Sequence, residues 1–232
     1  MTMIQLNLQQ VHDRMAAACR AAGRDPGTVS LLAVSKTFGP EAVQTAWAAG
    51  QTAFGENYIQ EAVQKITALR QSPDAAQAPL QWHCIGPIQS NKTRLVAEHF
   101  DWVQTVDRLK IAERLSEQRP AGLAPLQVCI QVNVDGGPTK SGVLPQDALL
   151  LAQQVAALPG LRLRGLMSIP EPAPDFIAAT QVFMRVRALF DALNASGLAL
   201  DTLSVGMSAD LEAAIHAGST MVRVGSAIFG AR

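Results

Sequence analysis

The chain has 232 residues, of which 48% are hydrophobic and 16% charged, a composition that excludes a disordered protein. Its 19 Lys and Arg residues balance 19 Asp and Glu residues, which excludes bulk electrostatic attraction to nucleic acid or to an anionic membrane. No run reaches the ~18 apolar residues of a membrane span, and the N-terminus lacks the unbroken apolar core of a secretory signal. We therefore expect a cytoplasmic globular protein.

The first half of the chain alternates short apolar or β-branched runs with longer helical patterns. In chain order the predicted elements are helix Ile4–Ala22, strand Val29–Lys36, helix Pro40–Ala49, strand Thr52–Gly55, helix Tyr58–Leu69, strand Gln81–Ile85, helix Asn91–His99 and strand Asp101–Val106. Pro40 and Gly50 mark the two ends of the second helix. The segment Arg70–Leu80, rich in Ala, Pro and Gln, is predicted to be a loop.

The second half repeats the same alternation. Its predicted elements are helix Arg108–Gln118, strand Leu126–Val134, helix Gln146–Leu158, strand Leu161–Met167, helix Phe176–Ser196, strand Thr202–Val205, helix Ala209–Ala217 and strand Met221–Val224. The run QVCIQVNV gives the strongest strand signal in the chain. The glycine-rich loop Asp135–Gly142 that follows it does not match a Walker phosphate-binding pattern.

Strands that alternate with helices predict parallel βαβ units. Eight such units in a chain of 232 residues fit a single closed (β/α)8 barrel, the TIM-barrel architecture, preceded by an extra N-terminal helix. We expect one domain over residues 1–232, because no segment resembles an interdomain linker. An open, doubly wound sheet is the alternative, since strand count alone does not establish closure.

The cysteines Cys19, Cys84 and Cys129 are scattered among apolar stretches, which favours buried, reduced thiols. We expect no metal site. His83 and Cys84 are adjacent on a strand, so their side chains point to opposite faces and do not readily share an ion.

In a (β/α)8 barrel the active site lies at the carboxyl ends of the strands. Polar residues or glycines stand at all eight predicted ends: Ser35–Lys36, Gly55–Asn57, Gly86–Pro87, Thr105–Asp107, Asn133, Met167–Ser168, Gly206–Ser208 and Gly225–Ser226. Taken singly, each end is explained as a cap of the following helix. Taken together, they predict a ligand site.

Lys36 is the sharpest candidate. Side-chain alternation places it on the face of Leu32 and Val34, and if that face lines the barrel, Lys36 projects into the mouth. Burial there disfavours the ammonium form, and a neutral amine can condense with an aldehyde. The alternative is a lysine that extends from the strand end into water.

The loops after the last two strands predict a phosphate site, because barrels often bind phosphate there. Ser208 lies in the first loop and Gly225 and Ser226 in the second. Ser208 is equally well placed as a helix N-cap. Arg223 faces the same way as Gly225 and can meet either the phosphate or the ring nitrogen of a heteroaromatic cofactor. Its alternative position is the outer face of the barrel, under a helix.

Several strings spread over nearly the whole chain form a specific combination: LLAVSKTF (31–38), AFGENYIQEA (53–62), WHCIGPIQSNK (82–92), QTVDR (104–108), QVNVDGGPTKSGV (131–143), LRGLMSI (163–169), LSVGMSADLEAAI (203–215) and VRVGSAIFG (222–230). In these strings the chain resembles the pyridoxal phosphate homeostasis protein family, which is similar in fold to the barrel domain of alanine racemase.

The resemblance implies pyridoxal 5'-phosphate as the cofactor, held as a Schiff base by Lys36. It implies that Ser208, Gly225 and Ser226 hold the phosphate, that Asn57 lies near the lysine, and that Arg223 faces the pyridine nitrogen. Lys140 corresponds loosely to a racemase arginine near the cofactor and the substrate carboxylate.

The function expected from this resemblance is intracellular pyridoxal phosphate homeostasis without catalytic residues, by a monomer whose partners include apo forms of pyridoxal phosphate enzymes. The alternative is an amino-acid racemase. Racemases take a second acid–base group from a further β domain, whereas this chain ends at the eighth strand, and its only tyrosine, Tyr58, begins a helix. A third hypothesis is a phosphate-binding barrel enzyme that does not use the cofactor.

Overall fold

The short apolar runs form the strands of a closed parallel barrel in the computed structural model, which describes residues 2–72, 79–137 and 140–230. The strands are β1 Ser30–Val34, β2 Ala53–Glu56, β3 Gln81–Cys84, β4 Trp102–Val106, β5 Leu126–Gln131, β6 Leu161–Met167, β7 Thr202–Met207 and β8 Met221–Val224. Each strand pairs with its sequence neighbour, and β1 pairs with β8 through Leu32 and Arg223. The predicted barrel is therefore confirmed, and the open sheet is excluded.

The helices surround the barrel. They are α1 Met3–Ala21, α2 Pro40–Trp47, α3 Ile59–Arg70, α4 Thr93–His99, α5 Leu109–Gln118, α6 Ala148–Ala156, α7 Phe176–Ala195, α8 Leu211–His216 and α9 Ser226–Phe229. Short 3-10 turns occupy Pro26–Thr28, Ser90–Lys92 and Pro145–Asp147. In the described ranges, no helix combines the length and the apolar character that crossing a membrane requires.

The N-terminal helix α1 lies on the outside of the barrel beside the four-residue helix α9 that follows β8. Thr2 and Gln5 form a capping box at its start. One stripe of α1 is buried, at Leu8, Val11, Met15, Ala18 and Cys19. The helix packs against α8, α9 and α2, so it closes the outer ring between the last and the first strands.

Two apolar regions stabilise the barrel. The larger lies between the strands and the helices, where the outward side chains of β5 (Leu126, Val128 and Ile130) are fully buried. A small separate cluster of Trp102, Cys129 and Met167 lies inside the barrel. The interior also carries buried polar side chains, among them Gln104, Ser204 and Arg223, which lie below the site described next.

Several predicted boundaries are wrong by a few residues. The first strand ends at Val34 and not at Lys36, because the chain turns at Ser35. The fifth strand ends at Gln131 and not at Val134, where the Asn133 side chain begins to bond the following loop. The sixth outer helix is split into a 3-10 turn and α6, and α9 has no counterpart in the prediction. Parts of the predicted loops, residues 73–78 and 138–139, lie outside the described residues.

Candidate ligand site at the barrel mouth

A cavity of about 390 Å³ opens at the carboxyl end of the barrel. It contains every residue predicted to bind the cofactor: Lys36, Asn57, Ser208, Arg223, Gly225 and Ser226. Its apolar walls are Val34, Phe38, Ile85, Ile169 and Met207, which the sequence analysis did not single out. The volume falls in the range of about 300–1,000 Å³ that is typical of small-molecule sites. The cofactor-binding roles of these residues stay a prediction.

Lys36 lies in the turn that joins β1 to α2. The amide of Phe38 donates to the carbonyl of Ser35 at 3.1 Å, which closes the turn around Lys36 and Thr37. Lys36 is half-buried and lines the cavity together with Val34. The alternation of side chains along β1 therefore continues beyond Val34, and the side chain of Lys36 lines the cavity.

Arg223 extends into the barrel and is buried. Its Nη1 donates to the carbonyl of Ser204 at 2.7 Å and to its hydroxyl at 2.8 Å, and Nη2 donates to the carbonyl of Ser168 at 3.0 Å. Burial lowers the pKa of Arg223 to about 10, so it stays charged at neutral pH. Among the described residues, Nε has no partner and Nη2 uses one of its two N–H groups, so two of the five N–H donors stay unpaired.

A chain of buried hydrogen bonds continues from Arg223 across the barrel. The hydroxyl of Ser204 donates to Oε1 of Gln104 at 2.7 Å, and Nε2 of Gln104 lies 3.0 Å from Nδ1 of His83. Burial lowers the pKa of His83 to about 3, so the imidazole is neutral and accepts this bond. Its ring stacks on Trp102 with centroids 5.0 Å apart. His83 thus belongs to the buried polar network inside the barrel.

Asn57 follows β2 and is one of the residues that line the cavity. Its Oδ1 atom is buried and has no hydrogen-bond partner among the described residues. The backbone of Gly86 packs closely against it, because a Cβ at Gly86 would lie 2.3 Å from the carbonyl oxygen of Asn57. Thr105 donates to the carbonyl of Gly86 at 2.8 Å and fixes this approach. The backbone of Asn57 is therefore held in place at the cavity wall.

The loops after β7 and β8 bring Ser208 and Ser226 to one side of the cavity. The reading of Ser208 as an N-cap is wrong, because the N-cap position of α8 is Asp210, whose carboxylate accepts from the amide of Met207 at 2.6 Å. The Ser208 hydroxyl therefore stands outside the cap. Arg14 of α1 donates to the carbonyl of Ser208 at 3.0 Å and holds the loop.

Two other residues considered in the sequence lie outside the cavity. Tyr58 is 52% exposed at the N-cap position of α3. Lys140 forms an ion pair of 3.0 Å with Glu171 and donates to the carbonyl of Ile169 at 3.3 Å. Neither side chain is among the described residues that line the cavity.

Behind the cavity wall lies a buried ion pair that the sequence analysis missed. Nζ of Lys65 in α3 lies 2.6 Å from Oε1 of Glu56 and donates to the carbonyl of Ser35 at 3.0 Å. The Ser35 hydroxyl donates to the same carboxylate oxygen at 2.6 Å. Burial raises the pKa of Glu56, and Lys65 opposes that rise. The sequence positions of Ser35 and Glu56 could have indicated this pair. Ser35 directly precedes Lys36 and Glu56 directly precedes Asn57, so their side chains point away from the cavity.

The buried thiols are unsuited to nucleophilic chemistry. Cys19, Cys84 and Cys129 are free and buried. Burial raises the pKa of Cys84 and of Cys129 to about 12, which keeps both protonated at neutral pH.

Known proteins match the chain over its whole length. The alanine racemase N-terminal domain family matches residues 6–232. A pyridoxal phosphate homeostasis protein of Pseudomonas aeruginosa is 59% identical, over 100% of this chain and 97% of its own length. PipY of Synechococcus elongatus, solved with PLP bound, superposes with a TM-score of 0.79 at 36% identity, over 94% of this chain and 100% of that chain.

A more distant likeness concerns the fold alone. An alanine racemase of Clostridium difficile superposes with a TM-score of 0.73 at 15% identity, over 97% of this chain and 57% of that chain. The racemase therefore shares the barrel fold with this chain. The homeostasis proteins share a much higher sequence identity with it, at the level that indicates a common family. The chain belongs to the alanine racemase N-terminal domain family and, within it, to the pyridoxal phosphate homeostasis proteins.

Proposed function

We propose that this protein binds pyridoxal 5'-phosphate as a Schiff base on Lys36 and holds it for intracellular homeostasis, without catalysing a reaction. The observation that carries the proposal is the convergence of Lys36, Asn57, Ser208, Arg223 and the Gly225–Ser226 loop on one cavity. The name of the Pseudomonas relative and the PLP-bound structure of PipY support it.

The residues of the cavity fit this cofactor. Pyridoxal phosphate supplies an aldehyde, with which a neutral lysine amine forms a C=N bond as water leaves. Lys36 is the only amine on the described cavity wall. Asn57 lines the cavity, and Nε of Arg223, which has no partner among the described residues, is available to an acceptor, so the site offers polar groups to a heteroaromatic ring.

The polar groups divide into two sets. Ser208, Ser226 and the backbone at Gly225 would hold the phosphate, because hydroxyls and exposed amides suit an anion. Arg223 would face the ring nitrogen. A guanidinium donates hydrogen bonds and does not accept them, so it keeps the facing nitrogen unprotonated. Carbanion chemistry draws on a protonated ring as its electron sink, and this arrangement weakens that sink.

The described residues that line the cavity offer no second acid–base group of the kind a racemase uses. Two-base racemisation needs a second acid–base group opposite the lysine. Among the described cavity residues, the only titratable side chains are Lys36 and Arg223, and Arg223 stays charged. Racemase activity is tested by incubating the loaded protein with single enantiomers of several amino acids. The proposal expects no sustained turnover, and turnover well above the rate of free pyridoxal phosphate would overturn its non-catalytic part.

An absorbance titration tests cofactor binding. The wild-type protein, mixed with pyridoxal phosphate, should develop the visible band of a Schiff base, and Lys36→Ala should not. A wild-type protein without the band would favour the third hypothesis, a phosphate-binding enzyme that does not use this cofactor. Direct binding of inorganic phosphate, measured by calorimetry, separates that outcome from a site that binds no anion.

The proposal includes a cellular role. We infer that one barrel domain acts as a monomer in the cytoplasm, where its free cysteines stay reduced, and passes the cofactor to apo forms of pyridoxal phosphate enzymes. Size-exclusion chromatography with light scattering tests the monomer. Transfer is tested by reactivating an apo enzyme with the loaded protein while a scavenger removes free cofactor. Reactivation that the scavenger abolishes would exclude direct transfer.

A further inference from the structure

The turn that carries Lys36 has a strained backbone. Thr37 has a φ of 68°, and in the described ranges it is the one residue other than glycine with a positive φ. A hydrogen bond closes the turn from Ser35 to Phe38, so Thr37 occupies its third position. A positive φ at that position is typical of a type II turn, where glycine or asparagine is normally found. A β-branched threonine there is a genuine outlier that needs support from its surroundings.

Helix α3 supplies that support at two points. Oε1 of Glu61 accepts from the amide of Thr37 at 2.8 Å, and Nζ of Lys65 donates to the carbonyl of Ser35 at 3.0 Å. These bonds hold the backbone groups on either side of Lys36. Glu61 and Lys65 stand one helical turn apart, with Nζ and Oε1 at 3.6 Å, so each steadies the other.

The second support is anchored deep in the molecule. Lys65 is 3% exposed, and its third partner, after Ser35 and Glu61, is the fully buried carboxylate of Glu56, which ends β2. Because Glu56 directly precedes Asn57, the same ion pair links the turn of Lys36 to the start of the Asn57 segment. Side chains that face away from the cavity thus fix the backbones of two residues that face into it.

We propose that Glu61 and Lys65 are positioning residues for Lys36, and that Glu61 acts by holding Thr37 in its left-handed conformation. The inference rests on the proposed role of Lys36 as the attachment point of pyridoxal phosphate. Without the acceptor at Glu61, Thr37 relaxes to a negative φ, the turn changes type, and the Lys36 amine leaves its place in the cavity wall. Neither Glu61 nor Lys65 lines the cavity, so both act through the backbone and not by touching the ligand.

The experiment is a mutant cycle on the full-length chain, with pyridoxal phosphate as the probe. The readouts are the rate constant of Schiff-base formation and the apparent dissociation constant, both from the visible band. We expect Glu61→Ala to slow formation by about tenfold, the loss typical of a hydrogen bond to a charged group. Glu61→Gln keeps the acceptor and should stay within about twofold of the wild type.

Thr37→Gly provides the decisive rescue. Glycine adopts a positive φ without strain, so the double variant Glu61→Ala/Thr37→Gly should recover to within about threefold of the wild-type rate. A generally damaged fold would not be repaired by removing a side chain from a turn. Glu98→Ala is the matched control. The side chain of Glu98 is 37% exposed, against 39% for Glu61, and both pair with a basic residue one helical turn away. Unlike Glu61, Glu98 accepts no hydrogen bond from a turn in the described part of the chain.

The outcomes separate this inference from the proposed function. If the wild type forms no band, the role of Lys36 itself fails. A normal wild type with an unchanged Glu61→Ala rate would overturn the positioning role of Glu61. Slow formation that Thr37→Gly leaves unrepaired would show that Glu61 does not act through the Thr37 backbone, and would overturn the inference as well. Rescue, with an unaffected Glu98→Ala control, supports it.

Discussion

The ammonium of Lys65 and the carboxylate of Glu56 meet at 2.6 Å behind β2, with both side chains buried. Because strand side chains alternate, the neighbour that follows Glu56, Asn57, points to the opposite side and lines the cavity. The ion pair also reaches the carbonyl of Ser35, next to Lys36. A charge pair outside the barrel wall therefore ties together the two strand ends that carry the site.

Breaking this pair should destabilise the fold strongly. Lys65→Met leaves the buried Glu56 carboxylate without its cation, and we expect a loss of about 3 kcal/mol in the free energy of unfolding. Lys65→Met/Glu56→Gln removes the stranded charge and keeps an acceptor for Ser35, so it should recover at least part of the loss. Urea unfolding measures both values. A Lys65→Met cost no larger than that of Arg94→Met, which breaks an exposed pair, would contradict this account.

His83 should make the fold sensitive to mild acid. Unfolded His83 binds a proton below its ordinary pKa of 6.5, whereas the folded residue stays neutral down to about 3. The unfolded state binds more protons in this window, so stability falls as the pH falls. Between about pH 7.5 and about pH 5, the wild type should lose about 2 kcal/mol more than His83→Phe. Equal losses in the two proteins would show that His83 does not titrate in this way.

Gly86 should be intolerant of a side chain. A Cβ there would lie 2.3 Å from the backbone oxygen of Asn57, so Gly86→Ala must displace Asn57 or its own loop. We expect a stability loss of about 2 kcal/mol and weaker binding of pyridoxal phosphate. Gly122→Ala is the control, because nothing lies within 4 Å of its Cβ position. Thermal unfolding and the absorbance titration measure the two effects, and equal behaviour of both variants would refute the close-packing argument.

Much of the fold was predictable, because parallel strands with two buried faces leave strong apolar runs. Apolar runs such as that of β5 predicted all eight strands. The alternation of side chains along β1 also predicted correctly that Lys36 and Val34 face the inside of the barrel. The predicted end of a strand was wrong where a hydrogen bond to a side chain turns the backbone, as at Asn133 after β5. The short α9 was missed because four residues are too few for a helical period.

The candidate site was also predictable only in part. Its polar residues stand at strand ends and were recognisable, whereas its apolar walls, such as Ile85 and Ile169, are indistinguishable in sequence from core residues. The Glu61–Lys65 pair was visible as a helical spacing, but its bonds to the turn depend on how α3 packs behind β1 and β2. Such contacts between distant segments are not encoded in any local pattern.

Replacement of Arg14 should weaken binding of the phosphate group of the ligand and leave binding of its aldehyde unchanged. Arg14 bonds the carbonyl of Ser208 and the carboxylate of Glu212, so it holds a loop proposed to bind phosphate. Arg14→Ala should weaken binding of pyridoxal phosphate by about threefold and leave pyridoxal binding unchanged. Arg187→Ala is the matched control, since both arginine side chains are 39% exposed and paired with a carboxylate. Equal weakening for both ligands would argue against a role at the phosphate.

Borohydride reduction of the protein loaded with pyridoxal phosphate, followed by peptide mass spectrometry, tests the central claim most directly. Reduction makes the lysine linkage permanent, so the modified residue can be identified. The account predicts modification at Lys36 in the wild type and in Lys110→Ala, which removes an exposed lysine of α5, and its loss in Lys36→Ala. Modification spread over other lysines, with undiminished visible absorbance in Lys36→Ala, would contradict it.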